Sequence, residues 1–248
     1  FEMISISSNL NLMIKAAEKA SKSVIRDFGE VEKLQVKKKG PRDFVTKTDK
    51  NVEKILIEEL SKSKKNYSFL SEEIGTILNK DKENVWIIDP IDGTTNFLHG
   101  IPHFAISIAL QSKEEIISGL IFDPIKDEMF FAEKNKGAYL NNFRLRVSNK
   151  NSIEDCLFSS NHQGFKFSNL NMRCSGCASL DLAYVASGRM DGFFHNGINL
   201  WDVAAGKIII EEAGGFVNNI SKYEKNNIDI RASSYSIKDE MLKNLENF

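Results

Sequence analysis

Val85-Trp86-Ile87-Ile88-Asp89-Pro90-Ile91-Asp92-Gly93-Thr94-Thr95-Asn96 is the stretch on which the fold turns. Val85 to Asp89 is short and nearly all apolar, the pattern of a strand buried on both faces. It breaks off into two aspartates three apart, across a turn stiffened by Pro90 and freed by Gly93. No Lys or Arg occurs between Lys82 and Lys113. Carboxylates leaving an apolar strand without a cation repel each other and lose hydration. A divalent metal relieves both penalties, and all-oxygen ligation by carboxylates and backbone carbonyls suits magnesium. Gly93-Thr94-Thr95 adds successive backbone N–H groups, a common cradle for phosphate. One aspartate alone would read as an ordinary strand end with an Asx-turn; the run as a whole favours the site.

Outward from this stretch, apolar residues at three- and four-residue spacing (Leu10, Met13, Ala17, Ala20, Val24, Phe28) predict a helix over 9–28, capped by Asn9 and ended by Gly29. A basic loop is expected over Lys37–Arg42. Val52, Ile55, Leu56 and Leu60 predict a second helix with Thr48 or Asp49 at its start. Downstream, strands are expected at His103–Gln111 and Ile116–Phe122, joined by the turn Ser112-Lys113-Glu114-Glu115. Glu128–Ala132 reads as a further strand, followed by a hairpin about Asn141-Asn142. A second part begins near Ser148, with strands at Cys156–Ser160, Phe216–Ile220 and Ile228–Ala232. Its helices are expected at Ala178–Ser187, Asp202–Ala213 and Ile237–Leu245. The expectation is one domain, 1–248, with sub-domains of about 1–147 and 148–248 packed as stacked sheets and helices.

Composition excludes several classes. The chain has 248 residues, 42% hydrophobic and 27% charged, as in an ordinary globular protein. A formal net charge of -1 supplies no field for nucleic acid or a membrane surface. The longest apolar run, Phe104–Leu110, falls far short of a spanning helix, and Phe1–Ser8 lacks the layout of a signal peptide. Phe1 is not an initiator, and Met3 is read as the native start. Three cysteines make no disulfide scaffold, so the cytoplasm is the expected compartment.

Three more acidic segments carry chemistry. Asp202, in Trp201-Asp202-Val203-Ala204-Ala205-Gly206, lies in a stretch free of Lys and Arg from Met190 to Gly206; alone it reads as a helix N-cap. Glu72-Glu73 follows Ser68-Phe69-Leu70-Ser71; alone it reads as a solvated turn. Asp49 ends Asp43-Phe44-Val45-Thr46-Lys47-Thr48-Asp49 and could also be only a cap.

Together these segments resemble the inositol monophosphatase family, the lithium-sensitive sugar and polyol phosphatases. The carrying motifs are Lys38-x-x-Pro41-x-Asp43-x-Val45-Thr46-x-x-Asp49, Glu72-Glu73, Trp86 to Phe97, and Trp201 to Gly206 with Glu212-Ala213-Gly214-Gly215. The resemblance implies an α+β fold, a layered αβαβα sandwich, and a homodimer. It implies that Glu72, Asp89 and the Ile91 carbonyl hold one magnesium ion, that Asp89, Asp92 and Asp202 hold a second, and that Glu72 helps with a third. Thr94 and Asp49 would orient and deprotonate the attacking water. Asp92, Gly93 and Thr94 would meet the phosphate, and Gly176, Cys177, Ala178 and Asp202 would line the polyol side. The reaction implied is hydrolysis of a small polyol phosphate, with myo-inositol monophosphate foremost. A sugar bisphosphate or a nucleotide 3′-phosphate is the alternative within this chemistry. Some bacterial relatives also serve the transcription machinery, a role that no residue pattern here addresses.

Two departures stand out. Members acting on inositol phosphates usually carry Glu where this chain has His195, which can still bind a hydroxyl or select another substrate. The segment from Asn161 to Arg173 is shorter than in typical bacterial members. Cys174 and Cys177, with His99 and His103, have the composition of a zinc set. The family motif accounts for Gly176 and Ala178 without zinc, and the cysteines are read as small apolar residues.

Overall fold

The computed structural model describes residues 6–30, 36–40, 43–160, 170–218 and 226–245, and side chains outside 36–45. The chain opens with α1 (Ser8–Phe28), a hairpin of β1 (Val36–Gly40) and β2 (Asp43–Thr46), and α2 (Lys47–Ser63). Then come β3 (Tyr67–Ser71), β4 (Gly75–Ile77), β5 (Asp81–Asp92), the short α3 (Thr94–Leu98), β6 (Ala105–Ser112), β7 (Glu115–Asp123), β8 (Glu128–Glu133), β9 (Gly137–Leu140) and β10 (Phe143–Arg144). The second part holds β11 (Leu157–Ser159), β12 (Asn171–Arg173), α4 (Ala178–Ala186), β13 (Gly192–Ile198), α5 (Leu200–Glu212), β14 (Gly215–Val217), β15 (Ile228–Ser234) and α6 (Lys238–Asn244).

Eight strands form one sheet in the order β10-β9-β8-β7-β6-β5-β3-β4, and five form another, β12-β11-β13-β15-β14. Only β3–β5, β11–β12 and β11–β13 pair in parallel among the described strands. Side chains two apart share a strand face, and β5 uses both faces. Trp86 and Ile88 enter a core with α1 and α2, while Ile87 enters a different core with α4 and α5. On β13, Phe193 packs toward α4 and α5, whereas Phe194 packs toward α6 through Ile237 and Met241. Three cores therefore separate five layers: α1/α2, the large sheet, α4/α5, the small sheet and α6. This is the expected αβαβα sandwich.

The middle layer fits tightly because two glycines admit close approach. A Cβ on Gly206 of α5 would stand 2.5 Å from Leu182 Cβ of α4, and one on Gly119 of β7 would stand 2.6 Å from Ile208 of α5. Any side chain there would drive α5 away from its neighbours.

Several local expectations are corrected. Ser7, not Asn9, caps α1, its Oγ accepting from Leu10 N at 3.1 Å. Thr46, not Thr48 or Asp49, caps α2. The expected basic loop over 37–42 overlaps the β1–β2 hairpin. Asp202 lies inside the first turn of α5, whose cap is Asn199. Most of the short segment 161–173 lies outside the described residues, and its end forms β12. No helix among the described residues is long and apolar enough to cross a membrane.

Candidate active site

The site is built on a break in β5. Residues three apart on a regular strand point to opposite faces. Here Asp89 pairs with Ser107 and Asp92 with Ala105, so β5 advances three residues while β6 advances two. The extra residue is a bulge. Asp89 Oδ1 closes the turn by accepting from Ile91 N at 3.0 Å. Asp202 arrives from α5, whose first turn is tied to β6 by Ser107 Oγ donating to the Trp201 carbonyl at 3.3 Å. Asn199 N donates to Asp202 Oδ2 at 3.0 Å, so a cap-like bond and a site position coexist in one side chain.

Oxygens of Asp89, Asp92 and Asp202 lie within 4.8 Å of one another. Burial, then repulsion from Glu72, Asp92 and Asp202, pushes Asp89 well above the ordinary carboxylate range. Burial and the charges of Asp92 and Glu72 do the same to Asp202. Burial also raises Asp92, against the pull of hydrogen bonds from Ser179 and Cys177. No cation is among the leading influences on any of the three. This compact, all-oxygen, self-repelling group could hold a metal ion. Glu72 stands near enough to be felt electrostatically by both Asp89 and Asp202.

Beside it, Thr94 Oγ1 lies 3.2 Å from Asp49 Oδ1 and 3.0 Å from the Ile91 carbonyl. Asp49 is fully buried, and its Oδ2 accepts from Thr46 N at 2.8 Å and from the Thr46 hydroxyl. Burial raises the Asp49 carboxyl despite these bonds. Gly93 has φ +93°, and a Cβ there would meet the His103 carbonyl at 3.1 Å and Cys177 Cβ at 3.3 Å. Only glycine fits that turn.

The turn Gly176–Cys177 leads into α4 at Ala178, and Cys177 and Ser179 are the residues there that touch the aspartate group. Cys177 Sγ donates to Asp92 Oδ2 at 3.3 Å, and Ser179 N donates to it at 2.6 Å. Cys177 is buried, Cys174 is exposed, and none of the three cysteines is in a disulfide. His195 lies on β13, opposite Ile230, on the face that Phe193 presents to the middle layer. Its ring stacks on Phe193, with centroids 6.5 Å apart.

The chain matches the description "Inositol monophosphatase family" over residues 6–247. The chain belongs to the inositol monophosphatase family. It is similar to an inositol-1-monophosphatase of Mesorhizobium japonicum, 46% identical over 229 residues, covering 86% of each chain. It is also similar to the Nus factor SuhB of Pasteurella multocida, 40% identical over 226 residues, covering 84% of each. The crystal structure of extragenic suppressor protein suhB from Bartonella henselae superposes with a TM-score of 0.89 at 43% identity, covering 96% of this chain and 98% of that one. As a member of the inositol monophosphatase family, this chain is a phosphoric monoester hydrolase.

Sequence reasoning missed four residues that hold the site of this inositol monophosphatase family member. Asn96 Nδ2 donates to the carbonyls of His103 and Ser175, both at 2.8 Å, tying α3 to the Gly176 turn. Ser179 fixes Asp92 through its main chain. Asp181, pushed up to about 7 chiefly by burial, accepts from Ser175 Oγ at 2.7 Å. Glu53, on α2, accepts hydrogen bonds from the turn that carries Glu72. The zinc alternative gains no support, because the one possible metal-holding group among the described residues is Asp89, Asp92 and Asp202.

Proposed function

We propose that the protein hydrolyses a small polyol phosphate monoester, with myo-inositol monophosphate as its leading substrate, in a magnesium-dependent reaction. The observation that carries this reading is the Asp89–Asp92–Asp202 group, buried at Asp89 and half-buried at the other two, held together with no cation among its leading influences. Glu72, Asp89 and the Ile91 carbonyl would hold one ion, and Asp89, Asp92 and Asp202 a second, with Glu72 reaching a third. The Ile91 carbonyl has two lone pairs, so it can serve an ion with Thr94 Oγ1 3.0 Å away, whose single proton is directed to Asp49 in the reaction. Magnesium bound there would acidify a water and neutralise charge at phosphorus.

The chain's own groups do the rest. Thr94 Oγ1 passes a proton to Asp49 Oδ1 as it takes one from the attacking water. Burial makes Asp49 a stronger base, and Thr46 fixes its other oxygen. Asp92, Gly93 and Thr94 face the phosphate. Gly176, Cys177, Ala178, His195 and Asp202 line the polyol side. The relatives named inositol-1-monophosphatase support the substrate. A homodimer, lithium inhibition and a cytoplasmic setting belong to the same proposal.

A phosphate-release screen tests this over inositol phosphates, sugar phosphates and 3′-phosphoadenosine phosphates, with magnesium or excess chelator. Release that persists in chelator excludes the metal mechanism. A strong preference for a sugar bisphosphate or a nucleotide moves the substrate and leaves the chemistry. A second reading, contact with the transcription machinery, draws support from the relatives named Nus factor SuhB. Failure of the purified protein to bind purified RNA polymerase and its elongation factors would remove it.

A further inference from the structure

Glu53 is a carboxylate in an unusual position. It lies on α2 and is fully buried. Among the described residues it forms no ion pair, although Lys50 and Lys54 line the same groove between α2 and β4. Burial raises its pKa, against the pull of its hydrogen bonds. One oxygen does all the bonding. Oε1 accepts from the Ser71 hydroxyl, from Glu73 N at 3.1 Å and from Ile74 N at 3.3 Å, while Oε2 is buried with no partner. An unpaired buried carboxylate oxygen is destabilising.

The three donors belong to one short turn, Ser71 to Ile74, which carries Glu72 in its middle and closes at Gly75, φ +80°. On its other side the turn is held by Glu72 N donating to the Ile88 carbonyl at 3.2 Å, one residue before Asp89. The backbone around Glu72 is thus clamped between β5 and α2. Its side chain leaves the clamp toward Asp89 and Asp202, where its charge is felt.

We infer that Glu53 is a positioning residue for the metal centre: through Oε1 it fixes the turn from which Glu72 reaches the ions. This rests on the metal-dependent reading above. The role is geometric, carried by an acceptor at the right reach rather than by charge. It accounts for a destabilising group kept in the core at the one place where it grips that turn. The groups around a metal ligand typically change affinity by about 10- to 100-fold when lost.

The test is calorimetric titration of magnesium and manganese into chelator-stripped protein, with thermal unfolding measured in parallel. Glu53→Asp withdraws the acceptor by about one C–C bond, roughly 1.5 Å. It should weaken metal binding about 10-fold, as should Glu53→Ala. Glu53→Gln keeps the acceptor and drops the charge, so it should titrate within about 3-fold of the parent. With saturating magnesium, KM for inositol monophosphate should be unchanged in all three. A purely structural role would lower the unfolding temperature and leave metal affinity alone. Parent-like titration of Glu53→Asp overturns the inference, as does equal loss in Glu53→Gln and Glu53→Asp. Should Glu53→Ala fail to fold, Glu53→Asp and Glu53→Gln decide. If the parent itself takes up no magnesium, the metal reading fails instead.

Discussion

The large sheet ends two of its strands with the same tripeptide. Asp89-Pro90-Ile91 closes β5 and Asp123-Pro124-Ile125 closes β7. Both aspartates are buried, and both make the same turn, accepting from the isoleucine N–H two residues on at 3.0 Å. They part at the next residue, Asp92 in one and Lys126 in the other. Lys126 Nζ pairs with Asp123 Oδ2 and donates to the Pro102 carbonyl at 3.0 Å. The second turn is therefore neutralised from within and has nothing left to bind. In the first turn Asp92 doubles the charge, and α5 adds Asp202. The backbone device is generic; the sign of one side chain decides whether it braces the fold or makes a site that attracts a cation.

The largest effect should come from Asp92, which the proposed reaction uses for both metal and phosphate. Asp92→Asn keeps its shape and its bonds from Ser179 and Cys177, so the fold should survive. Turnover should fall about 100-fold or more, in line with loss of a key electrostatic group. A folded variant with near-normal kcat would take Asp92 out of the site. The second turn should give the opposite result. Lys126→Met leaves the buried Asp123 uncompensated, and stability at neutral pH should fall by about 1–3 kcal/mol, less than for a fully buried pair because Lys126 is partly exposed. Its kcat and magnesium dependence should stay within about 2-fold. Any sizeable loss of magnesium affinity would show that the two turns are coupled.

Asp89 sharpens the comparison from the other side. Its folded pKa is raised, so its contribution to stability is full below the unfolded value and is lost as pH rises through the folded one. Chelator-treated protein should therefore lose stability as pH climbs from about 4 upward. Asp89→Asn stays neutral, keeps the acceptor for Ile91 N and can donate to Asp202. In chelator at pH 8 it should be more stable than the parent, because it removes the carboxyl whose ionisation the folded state opposes. It should also be inactive. Denaturant melts in chelator at pH 6 and pH 8 check this. A variant less stable than the parent at pH 8 would mean that the cluster carries no stored repulsion.

The helices and the Asp89–Asp92 run were legible because they rest on local signals: three-four spacing in α1 and α2, a short apolar run in β5, charge without countercharge at its end; the order of the layers and the roles of Asp49, Glu72 and Asp202 entered only with the family resemblance. What stayed hidden depends on contacts distant in sequence. Nothing in Gly192-Phe193-Phe194-His195-Asn196-Gly197 marks a strand, since two glycines flank it and adjacent phenylalanines serve opposite cores. The bulge that turns Asp89 and Asp92 to one face shows only in the register with β6. Glu53 sits in a helix rich in lysine and glutamate, where it reads as solvated; the β3–β4 hairpin buries it from 18 residues away. Glu212-Ala213-Gly214-Gly215 entered with the family resemblance, yet Glu212 serves the fold, its carboxylate accepting from Asn135 N and Gly137 N, both at 2.7 Å.

The smallest effect should come from His195, which belongs to neither turn. It shares with Phe193 the face of β13 that looks toward the middle layer, and the same strand runs on through Gly197 into α5 and Asp202. Its main-chain carbonyl is held by Arg231 Nη1 at 3.0 Å, so the strand beneath it is fixed and a change of side chain should not move the carboxylates. If the imidazole meets the leaving polyol, substitution acts on substrate choice and leaves phosphate chemistry alone. His195→Glu should then raise kcat/KM for inositol monophosphate relative to other phosphate esters. One recovered hydroxyl hydrogen bond is worth about 0.5–1.5 kcal/mol, roughly a 2- to 13-fold change in that ratio. Chelator and lithium responses should match the parent, because no proposed metal ligand is touched. An identical substrate ranking in the parent, His195→Glu and His195→Ala would show that this residue does not read the substrate. Selectivity would then have to come from the Gly176–Ala178 turn and Asp202.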